Sequence, residues 1–510
     1  MILEALIGFT FVAALAVLVA PDEWAGRLAF GLSIVPFVGS LYLWSAFDAG
    51  GNALTGGTIA FESRIEWLEV GGRSVSWFVG LDGISLPLVV LTTFLVPLAI
   101  VSAWTPIDSR QSQFYGLMLF MEANLLGVFT ALDFFLWFVF WEAVLVPMYF
   151  LIGVWGGPRR KYAAIKFFVY TNAASLVMFI GFMSLVFALG DGVSSFGLPE
   201  ITQAIAAGEL GTWFGIAPGT LAMVAFLAMF AGFAVKVPIV PVHTWLPDAH
   251  VEAPTPVSVL LAGVLLKMGT YALLRFNFTM LPEQASALAI PIAAIAVISV
   301  IYGAMLALAQ KDLKRIVAYS SVSSMGYVIL GLVVFTEYGV GGATFQMVAH
   351  GLISGLMFMA VGVIYNATHT RMVGDMAGMA DRMPITVGIL VAGAFGYMGL
   401  PLMAGFAGEF FIFVGAFGAP SLPYAPLFTA LAMFGIVIVA GYLLSAMQKT
   451  LFGPFRLETD YEVGRAPVHD IVPLAVLLAA IIVLGVAPDL FFEMIRDAAV
   501  PVVEGVSTDV

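Results

Sequence analysis

Apolar residues in this chain come in long runs, separated by short clusters of charge, proline and glycine. A helix needs about 20 mostly apolar residues to cross the hydrocarbon of a bilayer. Fourteen segments are expected to do so: residues 2–20, 27–46, 83–104, 114–131, 134–155, 162–189, 219–237, 256–277, 287–309, 313–335, 342–368, 384–416, 425–448 and 470–488, numbered below as spans 1 to 14. Between residues 47 and 82 the pattern changes. Paired glycines (Gly50 with Gly51, Gly56 with Gly57, Gly71 with Gly72) punctuate alternating polar residues there, which reads as a loop outside the bilayer with a hairpin in it. The connection FGLPEITQAIAAGELGTW, 196–213, reads as a short helix lying at the membrane interface. The expected fold is an all-α polytopic membrane protein with one membrane domain over 1–510. Its parts are spans 1–3 and the outer loop at 1–104, two central blocks at 114–277 and 287–448, and a C-terminal helix and tail at 470–510.

Composition agrees: 61% of residues are hydrophobic and 10% charged, against roughly 25% charged in a soluble domain. Of the 20 lysines and arginines, 13 fall in loops on one side of the alternating spans. Arg64, Arg73, Arg275 and Arg496 fall on the other, while Lys166, Lys236 and Lys267 lie within spans. Cytoplasmic loops carry the basic excess, so both termini are expected outside. The net charge of −12 is carried partly by Asp48, Glu62, Glu66 and Glu69 in the outer loop and implies no nucleic-acid partner. The chain has no cysteine, which removes disulfides and thiolate-bound iron–sulfur clusters. His243 and His250 would stand about 10.5 Å apart along one helix, too far to share a metal. No cofactor or metal is expected in this chain, and any electron chemistry would sit on another. No arginine-rich amphipathic presequence precedes span 1, which fits a bacterial inner membrane.

Two spans are interrupted: VKVPIVPVHTWLPDAH (235–250) in span 7 and GYMGLPLMAGFAGEF (396–410) in span 12. Proline removes a backbone donor and crowds the preceding turn. In lipid the freed carbonyls must be satisfied by protein or water, so such breaks belong inside a bundle beside a polar cavity. A pair of interrupted helices in corresponding halves points to an inverted-repeat transporter. Span 7 runs outside to inside and span 12 the reverse, as inversion of two five-helix repeats, spans 4–8 and 9–13, requires. IKFFVYTNAASLVMF (165–179) and FQMVAHGLISGLMFM (345–359) match loosely at an offset of 180.

A lysine or acid at the centre of a span costs about 2.5–3.5 kcal/mol on insertion scales and is by default functional. Glu142 lies among aromatics in span 5; the bland alternative is a neutral acid hydrogen-bonded to a neighbouring helix. Lys267 sits about 15 Å from either end of span 8, beyond snorkelling reach. Lys236 opens the break in span 7, either as a proton carrier or as a brace donating to carbonyls freed by Pro238 and Pro241. Glu409 follows the break in span 12, with a local cap for exposed amides as its alternative. Further candidates are His350 among small residues of span 11, Glu122 in span 4, Lys166 one turn into span 6, and His243 beyond the prolines. His369 and His469 are at or outside the boundary and carry no role. Burial disfavours a charged lysine and a nearby carboxylate favours it again, so two acids, two lysines and a histidine on five helices suit proton conduction.

FFLWFVFWEAVLVPMYFLIGVWGG, FAVKVPIVPVHTWLPDAHVEAPTPVSVLLAGVLLKMGTYALLR, KDLKRIVAYSSVSSMGY and GLPLMAGFAGEF resemble the signature segments of the antiporter-like subunits of respiratory complex I, the NADH:quinone oxidoreductase. The resemblance runs from about span 4 to span 13. It extends to subunits of multisubunit sodium/proton antiporters and of membrane-bound hydrogenases, which are the alternative assignment. Within the family the chain is most similar to the M branch, because Glu409 stands where the L and N subunits carry lysine. Ser324 stands where many relatives have a histidine, leaving His350 or water to fill that place. The resemblance implies fourteen helices in two inverted repeats, each with a broken helix, and proton translocation driven by quinone reduction elsewhere. It implies that Glu142 tunes Lys236, that Lys267 and a water-linked histidine pass the proton laterally, and that Glu409 leads to the exit or to a neighbour. It also implies neighbouring L and N subunits, with NADH, FMN, iron–sulfur clusters and quinone on partner chains.

Overall fold

The computed structural model describes residues 1–506. Among the described residues, eleven helices are long and apolar enough to cross a membrane. The other three expected spans are present with physical reasons for falling short. Ile2–Leu18 has 17 residues, and Gln111–Thr130 carries Gln111, Gln113, Glu122 and Asn124. Span 12 is split into Pro384–Tyr397 and Ala404–Phe417. The loop over 47–82 contains the hairpin, β1 (Ala60–Val70) and β2 (Arg73–Leu81), antiparallel. Gly71 and Gly72 turn it with φ of +59° and +78°, a conformation open to glycine without steric cost. Asp133 joins this hairpin to span 5: it accepts from the amides of Phe135 and Leu136 as the N-cap and from the Ser76 amide at 2.9 Å. The 196–213 connection forms the helix Leu198–Ala206.

Burial sorts the helices. The most apolar stretches of spans 8 (Thr255–Thr279) and 11 (Glu337–Thr368) are 100% buried and that of span 10 (Leu313–Val333) 94%, against 28–33% for spans 2, 13 and 14. A helix enclosed on all sides has no lipid to face, so polar side chains on it need partners from the bundle. Spans 8 and 11 cross at glycines: a Cβ on Gly351 would stand 2.8 Å from the Gly263 carbonyl oxygen. Span 8 is also irregular. Two π-helical stretches, Leu261–Leu265 and Leu273–Thr279, flank the α-helical turn pair Leu266–Ala272 that carries Lys267. Such insertions re-aim side chains and gather at functional sites.

The end of span 8 nearer the hairpin is pinned by a buried ion pair. Arg275 donates to both Asp82 carboxylate oxygens, at 2.7 and 2.6 Å, and to Asn52 Oδ1 at 3.1 Å. Fork-to-fork geometry and further donors from Ala53, Ile84 and Ser85 to Asp82 supply what a desolvated pair needs. After span 14 (Val468–Val486) the helix Asp489–Glu504 lies along the same end, held by Asn52 Nδ2 to the Ala498 carbonyl and the Gly51 amide to Asp497.

Candidate functional site

The break in span 7 separates Pro218–Lys236 from a short helix, Trp245–Glu252. Pro238 has no amide to donate, so the Ala234 carbonyl is taken by the Ile239 amide at 3.2 Å. The Val235 carbonyl accepts from the Trp245 indole at 2.8 Å. These bonds do the bracing that a lysine brace would have done. Lys236 itself is 2% exposed, and its ammonium has no hydrogen-bond partner. It lies over the Trp141 ring at 5.0 Å and near Phe167 at 5.9 Å, a weak attraction compared with a hydrogen-bonded ion pair. Glu142, at the end of Phe134–Ala143, accepts from Asn172 Nδ2 at 2.9 Å with one oxygen and leaves the other unpartnered. Its charge reaches Lys236 without direct contact. The alternative of a neighbour-bonded acid is thus half met, by Asn172 alone.

Lys267 is fully buried. Its ammonium donates to the Ala262 carbonyl one turn back and lies 2.6 Å from His350 Nδ1 across the glycine crossing. An ammonium donating to Nδ1 leaves the ring hydrogen on Nε2, and Nε2 faces Tyr397 Oη at 3.5 Å. Tyr397, in the first half of span 12, neighbours Ser320, Ser321 and Ser354. Tyr442 of span 13 faces the same Ser320 and lies within electrostatic range of Glu409, although its hydroxyl makes no direct hydrogen bond. Glu409 is 4% exposed with Oε2 unpartnered. It does not cap the second half of span 12, whose N-terminus has no side-chain cap.

The remaining sequence candidates separate. Lys166 donates to Asp248 at 2.7 Å and to the Thr244 carbonyl at 3.0 Å, so it fastens the short helix after the break. His243 is buried with Nδ1 unpartnered, its ring edge-on to Tyr302 and Tyr319. Glu122 is fully buried and both of its carboxyl oxygens are unpartnered. Two groups escaped the sequence reading. His250 is fully buried, stacked on Phe358 at 4.3 Å, with neither ring nitrogen partnered, and it lies within the fields of both Lys314 and Lys267. Its one sequence signal was its place in the interrupted stretch. Tyr397 had no signal, since a tyrosine in an apolar run looks like packing. Among the described residues no group of three histidine, aspartate or glutamate side chains is placed to hold a metal.

The central block, residues 131–438, matches the family model described as NADH:quinone oxidoreductase/Mrp antiporter, TM, and residues 58–130 match that of NADH-ubiquinone oxidoreductase chain 4, amino terminus. A relative from Trichormus variabilis, NAD(P)H-quinone oxidoreductase chain 4 3, is 40% identical over 96% of this chain and 89% of its own length. NADH-quinone oxidoreductase subunit M of Rhodobacter capsulatus is 38% identical over 96% of this chain and 92% of its own length. Among solved structures, a chain of respiratory complex I from Thermus thermophilus with bound NADH superimposes with a TM-score of 0.86 at 27% identity, covering 99% of both chains.

Proposed function

Since the chain belongs to the NADH:quinone oxidoreductase/Mrp antiporter family, and within it to the subunit M or chain 4 group of complex I, we propose that it translocates protons through its buried lysines. It is a multi-pass, antiporter-like membrane subunit of NADH:quinone oxidoreductase, working beside other membrane subunits. The observation that carries the pathway is the 2.6 Å contact between Lys267 and His350 at the crossing of two fully enclosed helices.

In this reading Lys236 holds a proton while Glu142 is charged and gives it up when Glu142 is neutralised. The proton passes through water to Lys267, whose ammonium hands one N–H proton to His350 Nδ1. The ring releases its Nε2 proton toward Tyr397 and, by way of Ser320 and Tyr442, to Glu409. Glu409 opens to the exit or to the next subunit, with L and N as neighbours. Quinone reduction on other subunits, which hold the FMN and iron–sulfur clusters, drives the cycle, and this chain holds no redox centre. Spans 4–8 and 9–13 are then two inverted repeats within the parts 114–277 and 287–448. The chain sits in a bacterial inner membrane with its basic loops in the cytoplasm and its termini in the periplasm.

In the assembled complex reconstituted into liposomes, Lys236→Ala is expected to leave NADH-driven quinone reduction in place and nearly abolish acidification of the lumen. Normal acidification per NADH oxidised would sink the reading. If the chain instead serves a sodium/proton antiporter, flavin and iron–sulfur subunits will not co-purify with it.

A further inference from the structure

On the basic-loop face a cavity of about 510 Å³ opens between the two central blocks, with Gly157, Glu252, Lys314, Asn366 and Arg371 in its wall. It ends next to the short helix Trp245–Glu252, on which His250 is buried with two unpartnered ring nitrogens. Both carboxylates of this mouth are already engaged. Asp312 caps span 10, accepting from the Lys314 and Arg315 amides, and pairs with Arg371 at 2.6 Å. Glu252 accepts from the Arg159 amide at 2.8 Å. Arg371 also donates to the Val251 carbonyl at 2.7 Å, so it closes the end of the short helix. Lys314 differs from these. It lines the cavity, is 4% exposed, and spends one N–H on the Ala253 carbonyl at 2.6 Å, three residues from His250, whose ring lies in its field; unlike Arg371 it has no carboxylate paired to it.

We propose that Lys314 is a charge filter at this mouth, passing protons to His250 and turning back sodium and potassium ions. An ammonium ion cannot be passed by a metal cation that must shed water and approach it in a poorly polarisable site. A proton does not need to pass it. One N–H bond of the Lys314 ammonium breaks to a bridging water as that water's own O–H proton forms an N–H bond on a His250 ring nitrogen, and the amine left behind takes up a proton carried in from the bulk through the cavity water. Charge at the mouth is restored after each transfer. The inference deepens the proton-translocation reading and rests on it. It names a reason why this member of a family shared with sodium/proton antiporters would carry protons alone.

The test uses the assembled complex in liposomes, with lumen acidification and radioactive sodium uptake measured together per NADH oxidised. Wild type is expected to acidify without sodium uptake. Lys314→Gln, which removes the charge, is expected to raise sodium uptake at least about tenfold. Lys314→Arg keeps both the charge and a donor for Ala253 but does not release its proton. It is expected to exclude sodium and to acidify severalfold more slowly, and it remains informative if the glutamine variant fails to assemble. Sodium exclusion by Lys314→Gln equal to wild type, or wild-type acidification by Lys314→Arg, overturns the filter. Normal acidification in Lys236→Ala would instead remove the proton-translocation reading, whatever Lys314 does.

Discussion

The two broken spans share one backbone repair and differ in what is added to it. At the span 7 break the Ile239 amide takes the Ala234 carbonyl; a side chain, the Trp245 indole, is added on the Val235 carbonyl, and the ionisable group beside it is a cation left without a partner. At the span 12 break the backbone repairs itself: the Leu400 amide reaches the Phe395 carbonyl at 3.1 Å, while Gly399 and Leu402 take φ of +62° and +74°. The ionisable group there is an acid whose Oε2 is unpartnered. Neither break consumes its charged residue. A group held for structure would be hydrogen-bonded to the groups it serves, because an unmade bond in a buried site costs about 1–3 kcal/mol. Lys236 Nζ and Glu409 Oε2 make no such bond, which is what the proposed transport role calls for.

If the two breaks are equivalent stations on one path, Glu409→Gln should be nearly as damaging as Lys236→Ala, lowering acidification per NADH to about a tenth with quinone reduction retained. Full pumping in Glu409→Gln would leave the lysine break as the one working station. Trp245→Phe separates repair from transport. It leaves the Val235 carbonyl without a donor, at about 1–3 kcal/mol, next in the chain to Lys236, whose ammonium is free to donate. The expected outcome is a complex with a lowered unfolding temperature and acidification reduced about threefold. Unchanged pumping in that variant would mean that Lys236 need not be free.

These breaks were legible in the sequence because proline and glycine announce them, and so were the spans, whose apolar runs need no partner to be recognised. The hairpin at Ala60–Leu81 was legible from its glycine pairs. Lys267 and His350 were each visible as costly groups in apolar helices, but their contact was not. It depends on the Gly263 and Gly351 crossing and on the π-helical stretches of span 8, which are set by packing between distant segments. His250 and Lys314 were hidden for a related reason. Each is ordinary in its own segment and becomes informative when the fold brings it within the other's field.

The self-repair at span 12 can be tested on its own. Gly399→Ala adds a Cβ that would stand 2.5 Å from Glu409 Oε2, at a φ of +62° that costs an L side chain about 1–2 kcal/mol. A lower unfolding temperature with about a twofold loss of acidification is expected, through displacement of Glu409. If stability falls and pumping does not, the position of that carboxylate within the break is unimportant, and the likeness to Lys236 weakens.

The smallest expected effect concerns the stretch joining the two charged groups. Tyr397 Oη lies 3.5 Å from His350 Nε2, at the long limit of a hydrogen bond, so the contact contributes little energy. Tyr397→Phe keeps the ring and its packing and should leave the unfolding temperature within error. Losing the hydroxyl removes the group that receives the Nε2 proton. A barrier raised by about 0.5 kcal/mol, the low end for one hydrogen bond, slows the step roughly twofold. The slowing should grow in deuterated water relative to wild type, because proton transfer would then limit turnover. An unchanged rate and isotope effect would show that the proton leaves His350 by another route and that Glu409 is not supplied through Tyr397, which would part the two broken spans into separate devices.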